Sequence, residues 1–228
     1  GDVTWTMTND RSTDLGDRPD AVTLVNNATL IISGTGKTYT DSTGQGVNIE
    51  GTGRFLVNNT TGSATGTGNT LWIGPDVTLG GYGSVGGSTL ILRGGTVAPG
   101  GSIGTLTVGP ATFQAGSVLE WEFDTGVADL LVVNGDLVID DNFTLKVIDR
   151  TGLGLFGTAD LVTFSGGFTG NPDAWTLDLP PGLTRDDLIV GTGVIQLKGQ
   201  PPPGGEEIPE PTTAALLVSG VAALGLRR

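Results

Sequence analysis

Between residues 118 and 124, apolar and polar side chains alternate one for one. Leu119, Trp121 and Phe123 form one row; Glu120, Glu122 and Asp124 fall in the other, beginning with Val118. A period of two marks a strand with one buried and one solvated face. Short runs of this type recur along the chain, rich in Val, Leu, Ile and Thr and bounded by Gly, Asp and Asn. The pattern predicts strands at 22–25, 29–32, 47–49, 55–57, 71–73, 77–79, 90–92, 106–108, 118–123, 130–133, 137–139, 144–148, 161–164, 175–177 and 194–197.

The strands are arranged with a loose repeat. Thr70-Leu71, Thr89-Leu90 and Thr105-Leu106 each open one, at intervals of 19 and 16 residues. Repeats near 20 residues predict a solenoid, in which each coil buries its apolar face on the next. A β-sandwich, with turns roughly every 8–12 residues, is the competing architecture. The 40 glycines among 228 residues favour the solenoid. Its tight corners need positive φ or close backbone approach, which glycine allows.

The pattern changes after residue 199. Residues 200–208 form a Pro-, Gly- and Glu-rich linker suited to separating parts of a chain. Pro209-Glu210-Pro211 follows, then an apolar run from 214 to 226 carried by Ala214, Leu216, Leu217, Val218, Val221, Leu224 and Leu226, then Arg227-Arg228. The run has no polar stripe at helical spacing. Its strongest apolar residues favour membrane insertion by about 2–4 kcal/mol in total. As a helix it would reach about 20 Å, short of the roughly 30 Å hydrocarbon layer. It therefore suits a transient anchor better than a permanent span. The arginine pair places the C-terminus on the cytoplasmic side by the positive-inside rule. A buried C-terminal helix of the body is the competing reading.

The order of the three tail parts resembles the PEP-CTERM sorting signal of exopolysaccharide-associated bacterial proteins. The resemblance implies export, recognition by a membrane protease of the exosortase type, transient membrane contact, and removal of the tail near Pro209–Pro211. It implies a final location at the cell surface or in the extracellular matrix, with extracellular polysaccharide as a further partner. The N-terminus, Gly1-Asp2-Val3-Thr4-Trp5, has neither a basic region nor an apolar core, so Gly1 is expected to be a processed or truncated start.

A second resemblance covers residues 79–147. The string Gly95-Thr96-Val97-Ala98-Pro99-Gly100-Gly101-Ser102-Ile103-Gly104-Thr105-Leu106-Thr107-Val108, and the segments around it, look like the autotransporter-associated β-strand repeat of secreted bacterial proteins. This implies a right-handed parallel β-helix over residues 1–199. Pro99 would end a strand, Gly100 and Gly101 would turn a corner, and Ile103, Leu106 and Val108 would return inside. Autotransporters continue into a membrane β-barrel, whereas here only the short tail follows. The body is thus expected to travel by a different export route.

Charge and composition narrow the function. A net charge of −13 opposes nucleic-acid binding. No cysteine rules out disulfides and thiolate metal sites, and no histidine removes the commonest general base. Glu120 and Glu122 share one strand face about 6.6 Å apart, near the carboxylate separation of inverting glycosidases; a solvated acidic face is the simpler reading. Asp136, Asp140, Asp141 and Asp149 could contribute to a Ca²⁺ site, but no EF-hand or calcium-repeat spacing is present. Lys37, Arg54, Arg93, Lys146 and Arg150 are scattered. Trp121 reads as core, while Trp5, Trp72, Trp175 and Tyr82 are open to sugar stacking. The sequence thus predicts a non-enzymatic surface or matrix protein without a cofactor. A carbohydrate-binding or polysaccharide-degrading β-helix is the competing function.

Overall fold

The computed structural model describes residues 4–8, 21–34, 47–61, 70–86 and 89–201. Within these residues the chain is an all-β solenoid, with strands stacked in register along three faces. The first face carries Thr70–Ile73, Thr89–Leu92, Ala111–Phe113, Leu137–Ile139 and Phe168–Gly170. The second carries Val77–Gly81, Thr96–Pro99, Val118–Asp124, Thr144–Asp149 and Thr176–Asp178. The third carries Thr105–Val108, Leu130–Val133 and Thr158–Phe164. Neighbours within each of these stacks are parallel, as winding in one direction requires.

Parallel stacking turns the period-two pattern into columns. Leu30, Phe55, Leu79, Val97, Leu119 and Leu145 lie one above another and all are buried. On the first face the matching column is Ile49, Ile73, Leu92, Phe113 and Ile139. On the third it is Leu106, Leu131, Val162 and Ile195. Each fully buried side chain of this kind stabilises the fold by about 1.5–3 kcal/mol relative to exposure. The columns together fill one continuous core. Parallel pairing in coil order excludes the β-sandwich alternative, whose sheets are antiparallel.

Aromatic rings continue the packing through the last coils. Phe113 meets Phe143 edge-on at 5.3 Å, Phe143 meets Trp175 at 5.2 Å, and Trp175 meets Phe168 at 6.3 Å. Arg185 donates to the carbonyls of Pro172 and Trp175, both at 2.6 Å, fixing the 3-10 turn Pro172–Ala174. The strands Leu188–Gly191 and Val194–Lys198 then reverse direction. They pair antiparallel with each other, and Val194–Lys198 also pairs antiparallel with Thr158–Phe164, which covers that edge of the third face.

Three buried polar side chains tie successive coils together at the corners. The Asn59 carbonyl accepts the Ser84 N–H at 2.9 Å. The Ser117 hydroxyl donates to the Leu92 carbonyl and accepts from the Gly94 N–H, both at 3.2 Å. Asp129 accepts from Gly104 at 2.9 Å. Each satisfies backbone groups that the corners leave outside the strand ladders. Gly100 turns its corner at φ +83°, and an added Cβ would collide with the Ser102 carbonyl.

The expected spacing needs correction. Thr70 and Thr89 do share a column, but Thr105 belongs to the third face and pairs with Leu130. The first-face column runs Leu71, Leu90, Ala111, Leu137, Phe168, so successive coils take 19, 21, 26 and 31 residues. The growth comes from insertions between the second and third faces. One is the hairpin formed by Val118–Asp124 and Val127–Ala128; the other is the loop over residues 150–157. Strands predicted separately at 22–25 and 29–32 form one bent strand, Ala21–Gly34, and those at 47–49 and 55–57 merge into Val47–Asn59. Thr4–Thr8, Thr96–Pro99, Ala111–Phe113 and Phe168–Gly170 are strands that the pattern missed. Pro99 does end its strand, and Leu106 and Val108 return to the core, while Ile103 is only half-buried.

The linker from residue 202, the sorting motif Pro209-Glu210-Pro211, the apolar run and Arg227-Arg228 lie outside the described residues, as does the expected C-terminal helix. Among the described residues no helix is long and apolar enough to cross a membrane.

Candidate functional site

The outward side of the second face gathers the charges singled out from the sequence. Glu120 pairs in register with Lys146 of the next coil, and their side chains meet at 2.9 Å. Glu122 meets Arg150 at the same distance. Alternation along Val118–Asp124 turns both glutamates outward while Leu119, Trp121 and Phe123 enter the core. Glu120 raises the pKa of Lys146 by hydrogen bonding and by its charge. The paired carboxylates of the glycosidase reading are thus each joined to a cation.

Asp129 lies beneath this surface. It is 1% exposed, and its carboxylate accepts the N–H groups of Gly104 and Glu122, each at 2.9 Å. Its own carbonyl receives the Trp121 indole N–H at 2.6 Å. Burial pushes its pKa up to about 7, against the two backbone hydrogen bonds, which lower it; the Glu122 charge raises it further and Arg150 lowers it. A carboxyl group still half protonated at that pH is chemically unusual. The sequence signal was a lone acid within the apolar stretch from Val127 to Val133.

The aspartates considered for Ca²⁺ do not converge. Asp149 accepts the N–H groups of Thr151, Gly152 and Gly154 and the Thr151 hydroxyl, at 2.7–2.9 Å. Burial alone would raise its pKa, but these hydrogen bonds outweigh it and hold the carboxyl below its usual range. Asp136 accepts the Gly167 N–H of the next coil at 2.7 Å. Asp140 and Asp141 border an open hollow with Asn142, Thr169 and Asn171. Among the described residues, no group of three or more His, Cys, Asp or Glu side chains is placed to hold a metal ion.

The aromatic candidates divide. Trp121 and Trp175 are buried, as the alternation required for Trp121. Trp72 is half-buried on the outward side of the first face, with the Arg93 guanidinium 5.3 Å from its ring centre. Tyr82 is 56% exposed at a corner. Arg54 is exposed on the second face, in register with Thr78. Lys37 and the side chain of Trp5 lie outside the described residues.

The two insertions enclose a groove of about 370 Å³ that sequence reasoning missed. Phe123, Val127, Ala128, Leu153, Leu155 and Phe156 line it. An adjoining hollow of about 360 Å³ shares Leu153 and Leu155 and reaches Pro180, Leu183 and Gln200. Neither insertion has a repeat counterpart in earlier coils, so periodicity carried no sign of the groove. No protein-family model matches this chain, and no curated protein and no solved structure matches it.

Proposed function

We propose that the chain is an exported bacterial protein of the cell surface or extracellular matrix, acting through its surface and shape rather than through catalysis. Residues 209–228 serve as its sorting signal, read by an exosortase-type protease after transient insertion of the apolar run. The observation carrying this reading is the order of Pro209-Glu210-Pro211, the apolar run and Arg227-Arg228 behind a separating linker. A rigid, repetitive body is compatible with a structural role in a polysaccharide-rich matrix. The engagement of Glu120 and Glu122 in ion pairs favours a surface function over glycoside hydrolysis. Replacing Pro209, Glu210 and Pro211 together by alanine in the native host tests the reading. The protein should then remain with the membrane fraction at its uncleaved mass. Unchanged release and processing would overturn it.

A sugar-binding role is the second reading, favoured by Trp72 with its stacked Arg93 and by the exposed ring of Tyr82. Binding to an acidic polysaccharide that is lost on Trp72→Ala or Arg93→Ala would favour it.

A further inference from the structure

We propose that, whenever it is not inserted in a membrane, the apolar run at residues 214–226 of the full chain docks into the groove between the two insertions, against Val127, Leu153 and Phe156. Val127, Leu153 and Phe156 are 56%, 67% and 43% exposed, yet all three line this one groove. Clustered exposed apolar side chains of this kind mark a surface that is covered in some state of the protein.

The path of the chain supplies the occupant. Gln200 lies on the wall of the adjoining hollow and is held there by its backbone. Its N–H donates to the Leu155 carbonyl at 2.8 Å, and its carbonyl accepts the Gly157 N–H at 3.0 Å. The chain therefore leaves the body beside the groove. Thirteen further positions lead from Pro201 to Ala214. At about 3.1 Å per residue for Pro-rich chain, they span about 40 Å, enough to pass the groove and turn back. Charge adds a direction. Asp124 lines the groove, the apolar run ends in Arg227-Arg228, and the acidic Glu206 and Glu207 precede it. The run therefore docks with its arginine end toward Asp124.

A short linker gives the run an effective concentration on the order of millimolar at the groove, so even a weak apolar contact is occupied within one chain. Cleavage near residues 209–211 would abolish that advantage and leave the groove open on the mature body. This last consequence rests on the sorting reading; the docking itself does not.

The absence of native cysteine allows a direct test on the purified full chain, without membrane or protease. A Leu153→Cys, Leu217→Cys variant should close an intramolecular disulfide about tenfold faster than a Val25→Cys, Leu217→Cys control. Equal rates, or bonds formed only between two chains, would overturn the proposal; the second result would assign the groove to another copy. A second variant needs no cross-link. Leu216→Ser, Leu217→Ser, Val218→Ser in the full chain should speed amide exchange over residues 150–157 about tenfold relative to the unsubstituted chain. Unchanged exchange would also count against docking.

Discussion

The carboxylate of Asp129 holds the backbone N–H of Gly104, 25 residues earlier, at 2.9 Å. Its other oxygen holds Glu122 on the neighbouring face at the same distance. One side chain thus ties a corner of one coil to a strand of the next. Asn59 and Ser117 do the same elsewhere with neutral groups. Asp129 alone of the three carries an ionisable group, which makes this corner sensitive to pH.

The sign of that sensitivity follows from burial. The folded-state pKa of Asp129 is about 7, above its ordinary value of 3.8. Its stabilising contribution is full below about pH 4 and is lost as pH rises through 7. The full shift corresponds to roughly 4 kcal/mol. Without histidine or cysteine, the chain has few other side chains that titrate in this window. Urea midpoints at about pH 5 and pH 8.5 should therefore show a clear loss of stability at the higher pH. Asp129→Asn should lower stability by about 1–3 kcal/mol at pH 5, because one acceptor is replaced by an amide NH₂. It should also flatten the pH dependence. A pH-independent midpoint in the unsubstituted protein would refute the assignment.

The surface ion pairs contribute little. Lys146→Met and Arg150→Met remove the partners of Glu120 and Glu122 from half-exposed sites. Each should cost about 0.2–1 kcal/mol, shrinking further at about 1 M salt. Chemical denaturation at low and high salt measures this. A loss of several kcal/mol would mean that these pairs do more than decorate the face.

Core side chains behave differently. Phe143 is 1% exposed and meets both Phe113 and Trp175 edge-on. Phe143→Ala should cost about 3–5 kcal/mol. Hydrogen exchange should show the loss concentrated in the last coils, since each coil contacts chiefly its neighbours. Uniform loosening along the whole body would contradict a solenoid with nearest-neighbour stability.

The same nearest-neighbour logic explains what could be read from the sequence. Alternation within 118–124 fixed both strand and facing, because a one-residue slip would bury Glu120 and Glu122. Recurrent Gly-bounded strands identified a solenoid. Periodicity then failed at Thr105, since three faces per coil allow similar Thr-Leu openings on different faces. Thr96–Pro99 and Ala111–Phe113 were hidden because proline, alanine and flanking glycines resemble turn chemistry in isolation. Their strand state comes from pairing with coils on both sides. Asp129 and the groove were harder still. The groove arises where insertions in separate coils come together, and Asp129 works by reaching a corner of the preceding coil; neither a period nor a local propensity encodes such meetings.

Under the proposed function, residues 209–228 direct the protein to its destination and are then removed. The most direct measurement is the mass of the C-terminal peptide from protein recovered outside its native host cell. The expected mature C-terminus lies at or before Pro211, with the apolar run and both arginines gone. An exported mature protein that still ends in Leu226-Arg227-Arg228 would contradict it.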